Sequence, residues 1–298
     1  MLRLATRAPF HLEATVRVLQ RRPTNLVERW EQNRYIRVIT TRAGLSVVEV
    51  ENRGTIDAPN VHFSISHGSA SKASRTEIER ILRVKLGLDV DPRPLQRRAE
   101  AVPALRTTAR ALRGMRPPRF ADLFEAFANV IPFQQVSLDA GIAIVTRLVE
   151  RFGLVLEHAG TRRYAFPTAS TIASARLEAL RRCGLSGHKA IALKNCARLI
   201  ASGKLTDEAI AAASTEQALA ILAALPGIGP WSAALVLLRG FGRLDVFPPG
   251  DVGVARNVGR IASSLAPIVE RFGPIRGYLY FCLLGGALLE RGLIKAAR

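Results

Sequence analysis

Hydrophobic and polar positions keep one period over the first ninety residues and another after them. YIRVITT (Tyr35–Thr41), LSVVEVE (Leu45–Glu51) and VHFSIS (Val61–Ser66) are short, β-branched and separated by Gly, Pro and Asn, which is the pattern of strands. ATVRVL (Ala14–Leu19) fits either a strand or a helix. SRTEIERILRVKLGL (Ser74–Leu88) turns to helical spacing, with Ile78, Ile81, Leu82 and Val84–Leu86 near one face, Ser74 as cap and Gly87 near the end. Together these predict an antiparallel sheet with one or two helices. After DPRP (Asp91–Pro94) the chain becomes Ala/Leu/Arg-rich, with helical spacing and almost no alternation. Helices are expected over 96–113, 120–130, 135–152, 170–182, 187–202, 206–213, 215–224, 230–239, 251–265 and 274–291. The expected class is α+β: an α+β domain over 1–92, then an all-α domain over 93–298.

Composition supports a folded chain and adds a charge. At 298 residues, 48% hydrophobic and 22% charged, the chain can bury a sizeable core in two domains. Its 43 Lys+Arg against 24 Asp+Glu leave a net charge of +19, and only six of the 43 are lysine. Guanidinium pairs bidentately with phosphate, so nucleic acid, an anionic membrane or an acidic protein could use this field. An arginine-rich proteome without any polyanion partner is the plain alternative. The apolar run YLYFCLLGGALL (Tyr278–Leu289) is too short to span a bilayer and reads as a buried helix, so no membrane partner is expected. MLRLATRAPFHLEATV lacks the continuous apolar segment of a signal peptide.

Several chemistries find no support. Cys183, Cys196 and Cys282 are too few and too scattered for a disulfide framework, a zinc site or an iron–sulfur cluster, and fit a reducing cytosol. The histidines His11, His62, His67, His158 and His188 form no ligand pair, and there is neither a nucleophile elbow nor a P-loop. Chemistry is left to carboxylates, backbone and shape.

One stretch stands out, LPGIGPWSAALVLLRGFGRLDVFPPGD (Leu225–Asp251). Leu219, Leu222 and Ala223 share a helical face before the glycines, and Trp231, Ala234, Leu235 and Leu238 share one after them. Pro230 suits a first helical turn, and Gly227 and Gly229 can take φ > 0 and admit a ligand close to the backbone. This is a helix–hairpin–helix whose amides can hold a phosphate, or an ordinary αα-hairpin with glycine turns. A dinucleotide fingerprint, with Asp245 as its acid, would need a strand before the glycines and a third glycine where Ser232 stands. Asp251 follows a stiff Pro-Pro-Gly, as a fixed charge or as the N-cap of the next helix.

LPGIGPWSAA followed by FPPGD resembles the helix–hairpin–helix glycosylase superfamily, and more narrowly the DNA-3-methyladenine glycosylase II family. IPFQQVSLDAG (Ile131–Gly141) is similar to that family's I-x-x-Q-x-V-S segment, and AFPTASTIASARLEALRRCGLSGHKAIAL (Ala165–Leu193) to its F-P-T…L…G-L-S-x-x-K-A pattern. FHLEATVRVL…NRYIRVI resembles the family's N-terminal appendage, whose fold is like the TATA-binding protein. The likeness is specific over roughly 114–252 and weaker elsewhere.

The resemblance implies a glycosylase that flips a damaged base, an alkylated purine, out of double-stranded DNA and hydrolyses its N-glycosidic bond. Asp251 falls at the catalytic aspartate. Gly227, Ile228, Gly229, Trp231 and Ser232 fall in the phosphate-binding hairpin, and Pro132 with Phe133 at the wedge. Trp231, Gln134, Phe133, Leu235, Val252 and Leu284 fall around the base pocket, although Leu235, Val252 and Leu284 stand where aromatics are expected. The carbonyls of Ala223, Leu225 and Ile228 are those that would hold a monovalent Na or K ion, the only cofactor implied. Lyase members carry a lysine two residues after the last hairpin glycine; here that residue is Trp231, which implies a monofunctional enzyme. A monomeric, cytoplasmic, nucleoid-associated protein of bacterial type is expected. A non-catalytic damage-binding protein, and a glycosylase for deaminated or oxidised bases, remain the alternatives.

Overall fold

The computed structural model describes residues 1–251, 253 and 265–297. A five-stranded antiparallel sheet comes first, built from β1 (Leu2–Leu4), β2 (Arg29–Glu31), β3 (Arg34–Thr41), β4 (Gly44–Asn52) and β5 (Val61–His67) in the order β1-β5-β4-β3-β2. Val38 pairs with Val47 and Tyr35 with Val50, so the three expected strands form its centre. Helices α1 (Leu12–Gln20) and α2 (Lys72–Lys85) cover one face, where Val16, Ile78 and Leu82 pack on Tyr35, Ile39, Val48 and Phe63. The ambiguous ATVRVL is thus helical. His11 caps α1 through Nδ1, which accepts from Ala14 N, and Ser71 rather than Ser74 caps α2.

The rest is largely helical: α3 (Pro92–Glu100), α4 (Arg106–Ala111), α5 (Leu123–Ala128), α6 (Leu138–Phe152), α7 (Ala169–Ser174), α8 (Leu177–Arg182), α9 (Gly187–Ala201), α10 (Asp207–Ala212), α11 (Thr215–Ala223) and α12 (Pro230–Val236). Helices Ala266–Phe272 and Gly277–Glu290 close the chain. The helix expected over 96–113 breaks because a 3₁₀ turn, Pro103–Leu105, intervenes and its proline cannot continue the ladder. The span expected over 251–265 lies mostly outside the described residues.

Pattern reading missed a second sheet, β6 (Val155–His158) paired with β7 (Thr161–Tyr164). Its turn places Ala159 at φ 49° and Gly160 at φ 69°, a mirror-image turn made without the Asn-Gly or Asp-Gly that advertises one. This hairpin covers the other face of the sheet, where Leu156 and Ala165 pack on Ile36, Val38 and Val47.

Packing crosses from sheet to helices. Ala14 and Val18 of α1 belong to the main helical core, and His11 Nε2 meets the carbonyl of Lys295 at 2.9 Å. Beneath β3, Arg37 and the fully buried Lys85 face Glu28 and Glu125; Lys85 Nζ lies 2.9 Å from Glu28 and 3.1 Å from Glu125. Burial alone would raise the Glu125 carboxyl, but the Arg37 and Lys85 charges win and hold it well below the usual carboxylate range. This cluster fixes α5, and with it the loop that follows, against the sheet.

No single helix among the described residues is long and apolar enough to cross a membrane. Helix Gly277–Glu290 buries Tyr278, Leu279, Phe281 and Cys282, as the apolar run implied. The three cysteines are free and buried.

Candidate active site

Three segments meet: the loop after α5, the start of α9, and the turn between α11 and α12. After α5 the chain makes a 3₁₀ turn, Ile131–Phe133, then runs through Gln134 and Gln135 to Ser137, whose hydroxyl caps α6. Gln134 Nε2 donates to the Gly227 carbonyl and to Ser232 Oγ, both at 2.9 Å. Lys189 Nζ, in the first turn of α9, donates to the carbonyls of Pro132 (3.3 Å) and Gln134. Gln134 therefore ties the loop to the hairpin, and Lys189 ties it to α9. Desolvation lowers the Lys189 ammonium from its ordinary value.

The hairpin begins where α11, fixed by a Ser214–Gln217 capping box, runs out. Ile228 N donates to the Leu225 carbonyl at 3.0 Å. Gly227 sits at φ +83° with its α-carbon pressed on Ala192, where an added Cβ would come within 2.6 Å. Gly229 departs from the expectation of positive φ: at φ −84° it is the N-cap of α12, Pro230 is N1, and a Cβ there would meet open space. The first-turn amides of Trp231 and Ser232 have no helical carbonyl behind them. A helix precedes the glycines, which excludes the dinucleotide fingerprint.

Across from the hairpin, VFPPGD brings Asp251 back. Gly250 takes φ +67°, and Asp251 emerges half-buried with Oδ2 accepting from Trp231 Nε1 at 2.9 Å. Gly253 leaves Oδ1 room, since a Cβ there would lie only 3.2 Å away. Trp231 and Asp251, 20 residues apart, thus form one unit, in which the indole fixes the carboxylate's direction.

Other expected residues fall differently. Pro132 is buried under Lys189 and cannot enter a duplex; the exposed tip is Gln135, at φ 53°, and Val136, 40% exposed. Phe133 is half-buried, its ring against Gly141 and the Arg21 guanidinium, 4.7 Å from the ring centre. Leu235 is only 2% exposed within the main core, so it faces no cleft. Leu284 is half-buried against the same core, and Val252 lies outside the described residues. No group of His, Cys, Asp and Glu suited to a metal ion occurs among the described residues. Lys189 and Val136 are the site residues that sequence reading passed over. Lys189 was signalled by its place in G-L-S-x-x-K-A, while nothing in the sequence fixes which residue of the loop protrudes.

A Gly-x-Gly hairpin clamped to a protruding loop, with a single oriented carboxylate opposite, is the arrangement of a base-excision DNA repair protein. Residues 128–267 match the family described as HhH-GPD superfamily base excision DNA repair protein, and residues 1–122 match the AlkA N-terminal domain. The DNA-3-methyladenine glycosylase of Bacillus subtilis (strain 168) is 29% identical over 252 residues, covering 84% of this chain and 82% of that protein. DNA-3-methyladenine glycosylase 2 of Escherichia coli (strain K12) is 31% identical over 166 residues, 55% of this chain and 58% of that one. The solved 3-methyladenine DNA-glycosylase from Archaeoglobus fulgidus superposes with a TM-score of 0.80 at 27% identity, over 98% of this chain and 99% of that one. The chain belongs to the helix–hairpin–helix base-excision repair superfamily, in the DNA-3-methyladenine glycosylase II family.

Proposed function

We propose that the protein is a monofunctional DNA glycosylase that removes damaged purines, N-alkylated ones among them, from double-stranded DNA. The observation that carries this is the Trp231–Asp251 hydrogen bond beside the hairpin, which holds one carboxylate in one direction. Phosphates flanking the lesion dock on the amides of the Gly227–Ser232 turn, helped by the +19 field. The tip Gln135–Val136 fills the gap left by the flipped nucleotide. As the C1′–N9 bond breaks, the sugar gains positive charge; Asp251 stabilises it and takes a proton from the attacking water. Trp231 offers its ring face to the base.

A monovalent cation would take oxygen ligands, and the carbonyls of Ala223, Leu225 and Ile228 are donors of that kind. The Leu225 oxygen already accepts the Ile228 amide and keeps one lone pair. Such an ion would add positive charge to the turn on which a phosphate docks. The protein acts as a monomer in the cytoplasm, at the nucleoid.

Duplexes carrying a labelled N-alkylpurine test the reading. Free base and an alkali-labile but unbroken strand are expected, with no borohydride-trapped adduct, because Trp231 stands where a Schiff-base lysine would have to be. A trapped adduct lost on mutating one lysine would overturn the monofunctional assignment, and no base release would overturn the enzyme.

A further inference from the structure

Where α1 ends against α6 there is a small cavity, separate from the site above. Its wall includes Arg21, Asn25, Asn129, Thr146, Ile142 and Val145, and no Asp or Glu. The free volume of about 10 Å³ is that of one water or one small ion.

Arg21 closes α1 at φ 59°, a conformation few non-glycine residues adopt, and is 5% exposed. Its guanidinium lies 4.7 Å from the Phe133 ring centre and 5.9 Å from that of Phe120. Nη2 is buried without an acceptor, and no carboxylate pairs with Arg21 among the described residues. Fully buried Arg239 stands 4.7 Å from the same Phe120 ring, and its Nε and Nη1 lack acceptors too. Two desolvated positive charges thus share one aromatic ring, with no carboxylate paired to either. Burial first, then Arg239, lowers Arg21 to about 9.

The other polar groups in the wall add donors. Asn25 spends its oxygen on the amides of Val27 and Glu28, both at 2.9 Å. Asn129 gives one amide proton to the Glu125 carbonyl at 3.0 Å and keeps the second. Thr146 brings a hydroxyl. A water in this space would satisfy one N–H and leave the charge as it is, whereas buried charges persist when they are paired. The missing partner is therefore an anion.

Size and dryness choose which one. Tetrahedral sulfate or phosphate is too large for the free volume of one water. A strongly hydrated ion would give up a shell that aliphatic walls do not replace. A monatomic, weakly hydrated halide fits both limits, and chloride is the common one.

We propose that this cavity is a monovalent-anion site, in which the Arg21 guanidinium holds a chloride ion that braces the end of α1 against α6 and the residue that closes α5. The site is independent of the glycosylase reading, since it contains neither Trp231 nor Asp251.

Bromide in place of chloride makes the ion visible. Crystals of the full chain in sodium bromide, measured at the bromine edge, should show an anomalous peak in the cavity against the Arg21 guanidinium. In solution, chloride replaces gluconate at fixed ionic strength and the melting temperature is followed. A site with a dissociation constant on the order of 30 mM raises the folded-to-unfolded ratio about 10-fold at about 0.3 M chloride. That is a rise of about 2–4 °C for a chain of this size. The rise should vanish in Arg21→Met. A cavity holding water, without anomalous signal at Arg21, overturns the proposal, and so does a chloride-dependent rise that Arg21→Met leaves unchanged. Should Arg21→Met not fold, the bromide map of the wild-type protein decides alone.

Discussion

Replacing Trp231 with Phe keeps an aromatic face in the cleft and removes one hydrogen bond. The indole Nε1 lies 2.9 Å from Asp251 Oδ2, so the variant deprives a carboxylate of a charge-assisted donor without opening a large cavity. A bond to a charged group contributes about 1.5–3 kcal/mol net. Both side chains are only half-buried, so water replaces part of what is lost and the lower end applies. About 1.5–2 kcal/mol corresponds to a loss of about 10- to 30-fold in the chemical step. That loss should appear in single-turnover excision under saturating enzyme, while duplex affinity holds, because the bond orients a group that acts on developing charge. Wild-type excision by Trp231→Phe would refute the orienting role. Weakened affinity with unchanged chemistry would make the indole a DNA contact instead.

The two hairpin glycines should separate folding from binding. Gly229→Val should fold normally, since a Cβ there meets nothing within 4 Å, yet bind damaged and undamaged duplex equally less well, as read by titration. Gly227→Val should lose about 2–5 kcal/mol in denaturant melts, because φ is +83° and the Cβ would approach Ala192 to 2.6 Å. His11 should make stability acid-sensitive. Burial depresses its pKa below the ordinary 6.5, so its stabilisation is present above that value and lost as pH falls through the folded pKa. Protonation also removes the Nδ1 acceptor that caps α1. Melting temperatures recorded between about pH 5 and 8 should show this slope, and His11→Asn, an uncharged cap, should flatten it.

The central strands and most helices were legible because their periods are local properties. Val47, Val48 and Val50 announce a strand wherever they pack, and the Pro230 that opens α12 follows the glycines in plain view. Asp251 and Trp231 could be named from their motifs, but their hydrogen bond joins positions 20 apart and exists only once the Pro-Pro-Gly loop folds back. Pro132 and Leu235 misled for the same reason: the loop motif fixes neighbours along the chain, whereas Lys189 and the helical core decide which side chain is covered. Arg21 gave no sign at all. Among so many arginines its sequence is unremarked, and only burial against Phe133 without an acceptor sets it apart.

Asp251→Asn asks the most direct question of the enzyme. The amide keeps the shape, and its carbonyl oxygen can still accept from Trp231, so only the negative charge leaves. Single-turnover release of base from a duplex with one N-alkylated purine should fall about 10²- to 10⁴-fold, while affinity for that duplex stays close to wild type. Base release at the wild-type rate would contradict the assignment of Asp251 and move the chemistry to another residue.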